Sequence, residues 1–165
     1  MVVARDEARR LKVLRGYNLL DSKPEPAFDL LAAEAAAEFS VPIALVSLVD
    51  EHRQWFKAAV GLDATETPRS ASFCTHAICG EGVFCVPDAL TAPLFENNPL
   101  VTGDPNIRVY AGAPLETHDG HRLGTICVID REPRGTLSEE SRQSLIDLAA
   151  RVMAQIERRQ QPPAQ

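Results

Sequence analysis

Four prolines, at positions 87, 93, 99 and 105, punctuate the stretch Pro87–Asn106. Apolar, strand-like sequence frames that stretch on both sides. Proline lacks an N–H and pushes its predecessor out of the helical region, so the stretch admits short helical turns at most. Long irregular segments are uncommon inside compact domains, and where they occur they are commonly functional. Val83–Val86 precedes the crossing as a strand. Val109–Leu115 and Leu123–Ile129 follow it as a hairpin around His118-Asp-Gly-His121, where Asp-Gly is expected to supply the positive φ angles of a tight turn. A long ordered loop laid over a sheet is a common way to wall a small-molecule pocket.

Upstream, Arg5–Leu20 reads as a helix with Ala8, Leu11, Leu14 and Leu20 among its apolar positions. The prolines of Asp21–Pro26 break it. Pro26–Phe39 follows as a second helix, with Phe28, Leu31, Ala35 and Phe39 at helical spacing and alanine-rich sequence between. Pro42 ends it. Ile43–Val49 is almost continuously apolar, as in a strand buried on both faces. Asp50–Arg53 is a polar turn leading to a partner strand, Gln54–Val60. Gly61–Ala71 reads as a loop, and Ser72–Gly80 as a short helix capped by Ser72. Ser138 caps a closing helix, about 138–160, whose Leu145, Leu148, Val152 and Ile156 make one apolar stripe. That stripe packs on the chain's own sheet, pairs with a second chain, or does both. The expected division is an N-terminal helix in 1–20, a domain in 21–160 and a disordered tail in 161–165. Helices, an antiparallel sheet and a closing helix make an α+β arrangement.

Composition narrows the function. The chain has 165 residues, 45% hydrophobic and 24% charged, with a net charge of −6, which suits a single globular domain. Its first 20 residues hold five basic and two acidic side chains, and its last 15 hold three and one. The body between them is strongly acidic. Nucleic-acid binding is therefore not expected, since affinity there rests on neutralising phosphates. No apolar run reaches membrane-spanning length, and the start lacks the apolar core of a signal peptide. A cytoplasmic protein without membrane insertion is expected. The four cysteines sit in apolar contexts, where reduced thiols behave as small hydrophobes.

Several segments in order resemble a GAF domain, of the bacterial kind that stands alone or is fused to sensor modules. They are ALVSLVDEHRQWFKAAVGL at Ala44–Leu62, PRSASFCTHAI at Pro68–Ile78, VPDA at Val86–Ala89, NPLVTGDPNIRVYAGAPL ending at Leu115, and DGHRLGTICVID at Asp119–Asp130. The resemblance implies a central antiparallel sheet of about five to six strands. It also implies N- and C-terminal helices on one face and a helix-and-loop crossing that forms a pocket on the other. It further implies a sensor that binds a small molecule, pairs as a homodimer through its terminal helices, and acts on a histidine kinase or diguanylate cyclase. Nothing in the chain resembles an output module, so signalling is expected through a separate effector or through dimer geometry.

The candidate ligand-binding residues are Phe73, Cys74, His76, Asp88, Asn98, Arg108 and Tyr110. Cys74 falls in the first turn of its helix, where unpaired N–H groups stabilise a thiolate. Either it is a redox-sensing thiol, with Cys79 or Cys85 as its resolving partner, or Cys74 and His76 are packing residues. Asp88 closes a turn through backbone N–H groups or, as the resemblance implies, stands at the pocket wall. Asn98 reads a ligand edge or, before Pro99, forms a turn. Arg108 and Tyr110 alternate with Val109 and so share a face. They would receive a phosphate or carboxylate and stack on a base, unless Arg108 is bridged to Asp88 or Asp104. Phe73 and Trp55 read as core.

No metal site is expected, because Cys74-x-His76-x-x-Cys79 has no second cluster at zinc-like spacing. Walker, GxSxG and HExxH motifs are missing, so no catalytic residue and no cofactor is identified. Within the resembling family, the cysteines do not align with those of free methionine-R-sulfoxide reductases. The Cys-His dipeptide of bilin-binding members is replaced by Cys74-Thr-His76. A non-enzymatic sensor is the expectation, with a thiol-based redox protein and a ligand-free dimerisation domain as its rivals.

Overall fold

Helix α1 spans Glu7–Gly16 in the computed structural model, which describes residues 6–135 and 137–160. Arg5 and the tail 161–165 lie outside the described residues. The helix is shorter than its sequence suggests because it stops at Gly16, and Asn18 and Asp21 take positive φ angles of 56° and 63°. Helix α2, Pro26–Phe39, starts on a proline that costs no hydrogen bond in the first turn. It closes with Ser40 in the left-handed region. There the Ser40 N–H donates to Ala37 O and the Val41 N–H to Ala36 O, a Schellman ending.

Strands β1 (Ile43–Val49) and β2 (Arg53–Val60) follow as a hairpin. The segment expected to be a plain loop contains a short edge strand, β3 (Glu66–Pro68), paired with β2. Helix α3 is only Cys74–Ala77, β4 is Phe84–Val86, and a single turn, α4 (Pro99–Thr102), interrupts the proline-rich crossing. Strands β5 (Val109–Glu116) and β6 (Arg122–Asp130) form the last hairpin. Its positive φ belongs to Gly120 alone, at 88°, and Asp119 does not share it. Helix α5, Glu139–Gln160, begins where Ser138 Oγ accepts the Ser141 N–H at 3.1 Å.

The six strands make one antiparallel sheet in the order β3-β2-β1-β6-β5-β4. Period-two alternation sends Ala44, Val46 and Leu48 to one face of β1 and Ile43, Leu45, Ser47 and Val49 to the other. The first face carries α2 and α5 and the larger core. The second carries α3, the crossing and a separate core around Phe73, Phe95 and Tyr110. The α5 stripe Leu145, Leu148, Val152 and Ile156 is buried in the first core. Burying each such side chain contributes roughly 1.5–3 kcal/mol. The stripe therefore closes the chain's own sheet and is not a free seam for a second chain. Tyr17 Oη, just past α1, donates to Glu157 at 2.8 Å and ties the two terminal helices together.

Candidate functional site

Between β1, β2 and β6 on one side and the 61–67 loop and 100–107 crossing on the other lies a cavity of about 320 Å³. That volume is within the range of small-molecule sites. Ile43, Leu45, Phe56, Ile107 and Ile129 make its walls apolar, and Asp63, Asp104 and Arg131 stand among its other lining residues. Cys74, Tyr110 and Cys127 line it too.

A compact polar group gathers around Cys74. Its sulfur is 3.1 Å from Tyr110 Oη and 3.1 Å from Thr125 Oγ1, and those two oxygens are 3.3 Å apart. Gly112 makes room for this. Tyr110 folds back along β5 so that its hydroxyl lies over Gly112, where an added Cβ would overlap it. Gly112 pairs with Cys127 across the β5–β6 ladder, so the Tyr110 hydroxyl, Cys74 and Cys127 meet at one point of the sheet. Ser47, opposite Thr125 on β1, brings a buried hydroxyl near the sulfur without completing a hydrogen bond.

Burial opposes ionisation of Cys74. The Cys127 thiol and the hydroxyls of Ser47, Thr125 and Tyr110 outweigh it and hold the Cys74 thiol below its ordinary range. Its neighbours move the other way. Interaction with Cys74 and then burial push the Cys127 thiol up, while burial and both sulfurs push the Tyr110 phenol up. Helix α3 is a single turn of four residues, so its dipole is small.

Phe73, Cys74 and Tyr110 are the three sequence candidates that line the cavity. Phe73 stacks on Phe95 with centroids 4.1 Å apart and an interplanar angle of 8°. His76 diverges from Cys74 and packs edge-on against Phe95 at 5.1 Å, where burial lowers its pKa. Asp88 accepts the Leu90 N–H at 3.1 Å, which is the turn-closing alternative. Arg108 donates to Val101 O at 2.8 Å and Ile107 O at 3.0 Å. It pairs with neither Asp88 nor Asp104, and Tyr110 is committed to the thiol cluster rather than to a shared anion site.

Asn98 is a strut. Its Oδ1 accepts the Leu100 N–H at 2.8 Å, and its Nδ2 donates to Ala71 O at 3.1 Å, tying the crossing to the segment before α3. Asn98→Ala is expected to cost about 1–2 kcal/mol through the lost cap and the orphaned carbonyl. Asn98→Asp, which keeps the acceptor, should fall between wild type and alanine. Urea midpoints check both.

The resolving partners that the redox alternative named, Cys79 and Cys85, do not neighbour Cys74. Cys79 is exposed and donates to Thr75 O at 3.2 Å. Cys85 pairs with Ala111 and packs against the helix-side core, so the sheet separates it from Cys74. Cys127 takes that place. The sequence held a signal for it: Thr125, Cys127 and Ile129 alternate toward one face, and Ser47 is the single polar residue inside the apolar run of β1. Among the described residues, no three His, Cys, Asp or Glu side chains gather as a metal site. None of their helices is long and apolar enough to cross a membrane.

A six-stranded antiparallel sheet with helices on one face and a walled cavity on the other defines a small α+β domain. The GAF domain family model matches residues 23–156, and the chain belongs to that family. It is 49% identical over 151 residues to a cyclic di-GMP phosphodiesterase of Pseudomonas aeruginosa, an alignment covering 92% of this chain and 26% of that protein. The chain thus spans about a quarter of that relative's length. Among solved structures, the GAF domain of an Acinetobacter phosphoenolpyruvate-protein phosphotransferase superposes with a TM-score of 0.67 at 18% identity, covering 94% of this chain and 95% of that one. A type II free methionine-R-sulfoxide reductase from Thermoplasma acidophilum gives 0.62 at 14% identity, covering 80% and 93%. At these identities the likeness is one of fold.

Proposed function

We propose that this chain is a sensory GAF module that takes up a small molecule in the cavity beneath the 100–107 crossing and regulates a signalling output. The observation that carries this reading is the cavity itself, walled by apolar side chains and bearing the hydroxyls and thiols around Cys74. The ligand would lie against Phe73 and Tyr110. Similarity to part of a cyclic di-GMP phosphodiesterase supports cyclic-dinucleotide signalling as the output. The chemistry belongs to that output and the sensing to this segment.

A route from cavity to helices supports the reading as well. Arg69 lies a few residues before Phe73 and Cys74 of the cavity wall, and its Nη2 donates to Glu7 of α1 at 3.0 Å. A ligand that prefers one placement of this wall shifts α1 with it, which is a population shift. The test is native mass spectrometry of freshly purified protein beside denatured spectra. A small-molecule mass lost on denaturation is expected, and Ala64→Trp at the exposed cavity rim should remove it without unfolding the chain. A bare mass, together with no melting shift from a panel of small aromatic and aliphatic fragments, would overturn the reading.

A further inference from the structure

Two thiols face one cavity in this fold, and the ligand reading above uses neither as a nucleophile. We propose that Cys74 and Cys127 are a peroxide-responsive dithiol, oxidised to a disulfide by a small organic hydroperoxide that enters the cavity. Three observations converge on it. Both cysteines line the cavity, although the side chains are otherwise buried. Helix α3 packs directly on β6, and the Cys74 sulfur reaches Thr125, two residues from Cys127 on the same face of that strand. The sulfur is also held by hydroxyls rather than by apolar contacts alone, and hydroxyls that donate to a thiolate favour its ionised form.

The reaction balances without a further reagent. The Cys74 thiolate attacks the terminal oxygen of ROOH. The O–O bond breaks, and the alkoxide leaves as ROH with the proton that Cys74 released. Cys74 is now a sulfenic acid, oxidised by two electrons. The Cys127 thiol attacks that sulfur, the S–S bond forms, and the hydroxyl departs with the Cys127 proton as water. Ser47 Oγ, buried without a hydrogen-bond partner beside the sulfur, is placed to bond the sulfenic oxygen between the two steps. Cys79 is the more exposed thiol, but burial of its sulfur raises its pKa and no hydroxyl cluster surrounds it. Cys85 lies on the other face of the sheet.

The experiment treats the full chain with cumene hydroperoxide and, separately, with hydrogen peroxide. Free thiols are then alkylated under denaturing conditions and the chain is mapped by mass spectrometry. Loss of two hydrogens is expected, located in a linked pair of peptides carrying Cys74 and Cys127. Cys127→Ser should stop at a Cys74 sulfenic acid trapped by dimedone. Cys74→Ser should leave Cys127 fully alkylated. Circular dichroism verifies that both near-isosteric variants are folded, and the wild-type map stands without them. Oxidation confined to Cys79 or Cys85, or full alkylation of both Cys74 and Cys127 after peroxide, would overturn the proposal. The readout follows thiols and not a bound ligand, so its failure leaves the sensory reading untouched and the reverse also holds.

Discussion

Gly124→Ala is expected to destabilise the chain by about 3 kcal/mol, near the upper end for overpacking a close-packed site. Gly124 pairs with Leu48 across the β1–β6 ladder at the centre of the sheet. A Cβ there would fall on the Ser47 carbonyl and close on the Leu48 Cα, both main-chain atoms. Main chain in a strand paired on both edges has nowhere to move without breaking ladder hydrogen bonds. For a chain of this size the melting temperature should fall by roughly 6–12 °C. Gly112→Ala makes a useful contrast, because there the obstacle is the Tyr110 side chain, which can swing aside. It should cost less stability yet break the thiol cluster. Calorimetry on both variants checks this. A Gly124→Ala melting point equal to wild type would show that the β1–β6 register is not the one described.

Removing the carboxylate of Glu7 should be at least as damaging. The side chains of Arg10 and Arg69 are each 1% exposed, and Glu7 is the carboxylate they share. Arg10 Nε donates to it at 2.9 Å and Arg69 Nη2 at 3.0 Å. Their remaining acceptors are the Arg122 and Asp50 carbonyls, at 3.3 and 3.2 Å, and Arg69 Nε has no partner. Stripping one partner from a buried ion pair typically costs about 3–5 kcal/mol, because the charge left behind stays desolvated. Glu7→Ala strands two guanidiniums at once.

The same carboxylate sets an acid limit. Burial alone would raise the Glu7 pKa, but hydrogen bonds and charge from Arg10 and Arg69 bring it below the ordinary value. Its folded pKa is depressed, so its contribution is complete above the unfolded value of about 4.3 and fades as pH falls through the folded one. Asp50 and Asp130 shift in the same direction, each held down against burial by hydrogen bonds and arginine partners. Urea midpoints measured through the acid range should therefore drop steeply for wild type and less steeply for Glu7→Gln. Superimposable acid limbs would remove Glu7 from this role.

Much of the fold was legible because its signals are local. Pro26–Phe39 and Ile43–Val49 read to the residue, the helix from spacing and proline at its start, the strand from an unbroken apolar run. The β5–β6 hairpin read from its turn. β3 did not, because a three-residue edge strand carries too little alternation to separate it from loop. The site was legible in part. Phe73, Cys74 and Tyr110 stood out as types, but that Cys127 rather than Cys79 neighbours Cys74 depends on strand register and on Tyr110 folding over Gly112. Neither is written in spacing. The Arg108 partners could not be read, because carbonyls presented by the crossing compete for a guanidinium as well as carboxylates do and leave no mark in the sequence. The burial of Arg69 could not be read either, since its partner Glu7 arrives from an element outside the matched family segment.

The most direct test of a ligand-binding cavity is methyl NMR of the Ile, Leu and Val side chains during titration with small one-ring aromatic and short aliphatic fragments. Shifts are expected at Ile43, Leu45, Ile107 and Ile129, which line the cavity, with Leu115, Leu148 and Val152 across the sheet unmoved. Shifts confined to the α5 groove around Ile146, or no fragment moving a cavity methyl, would contradict it.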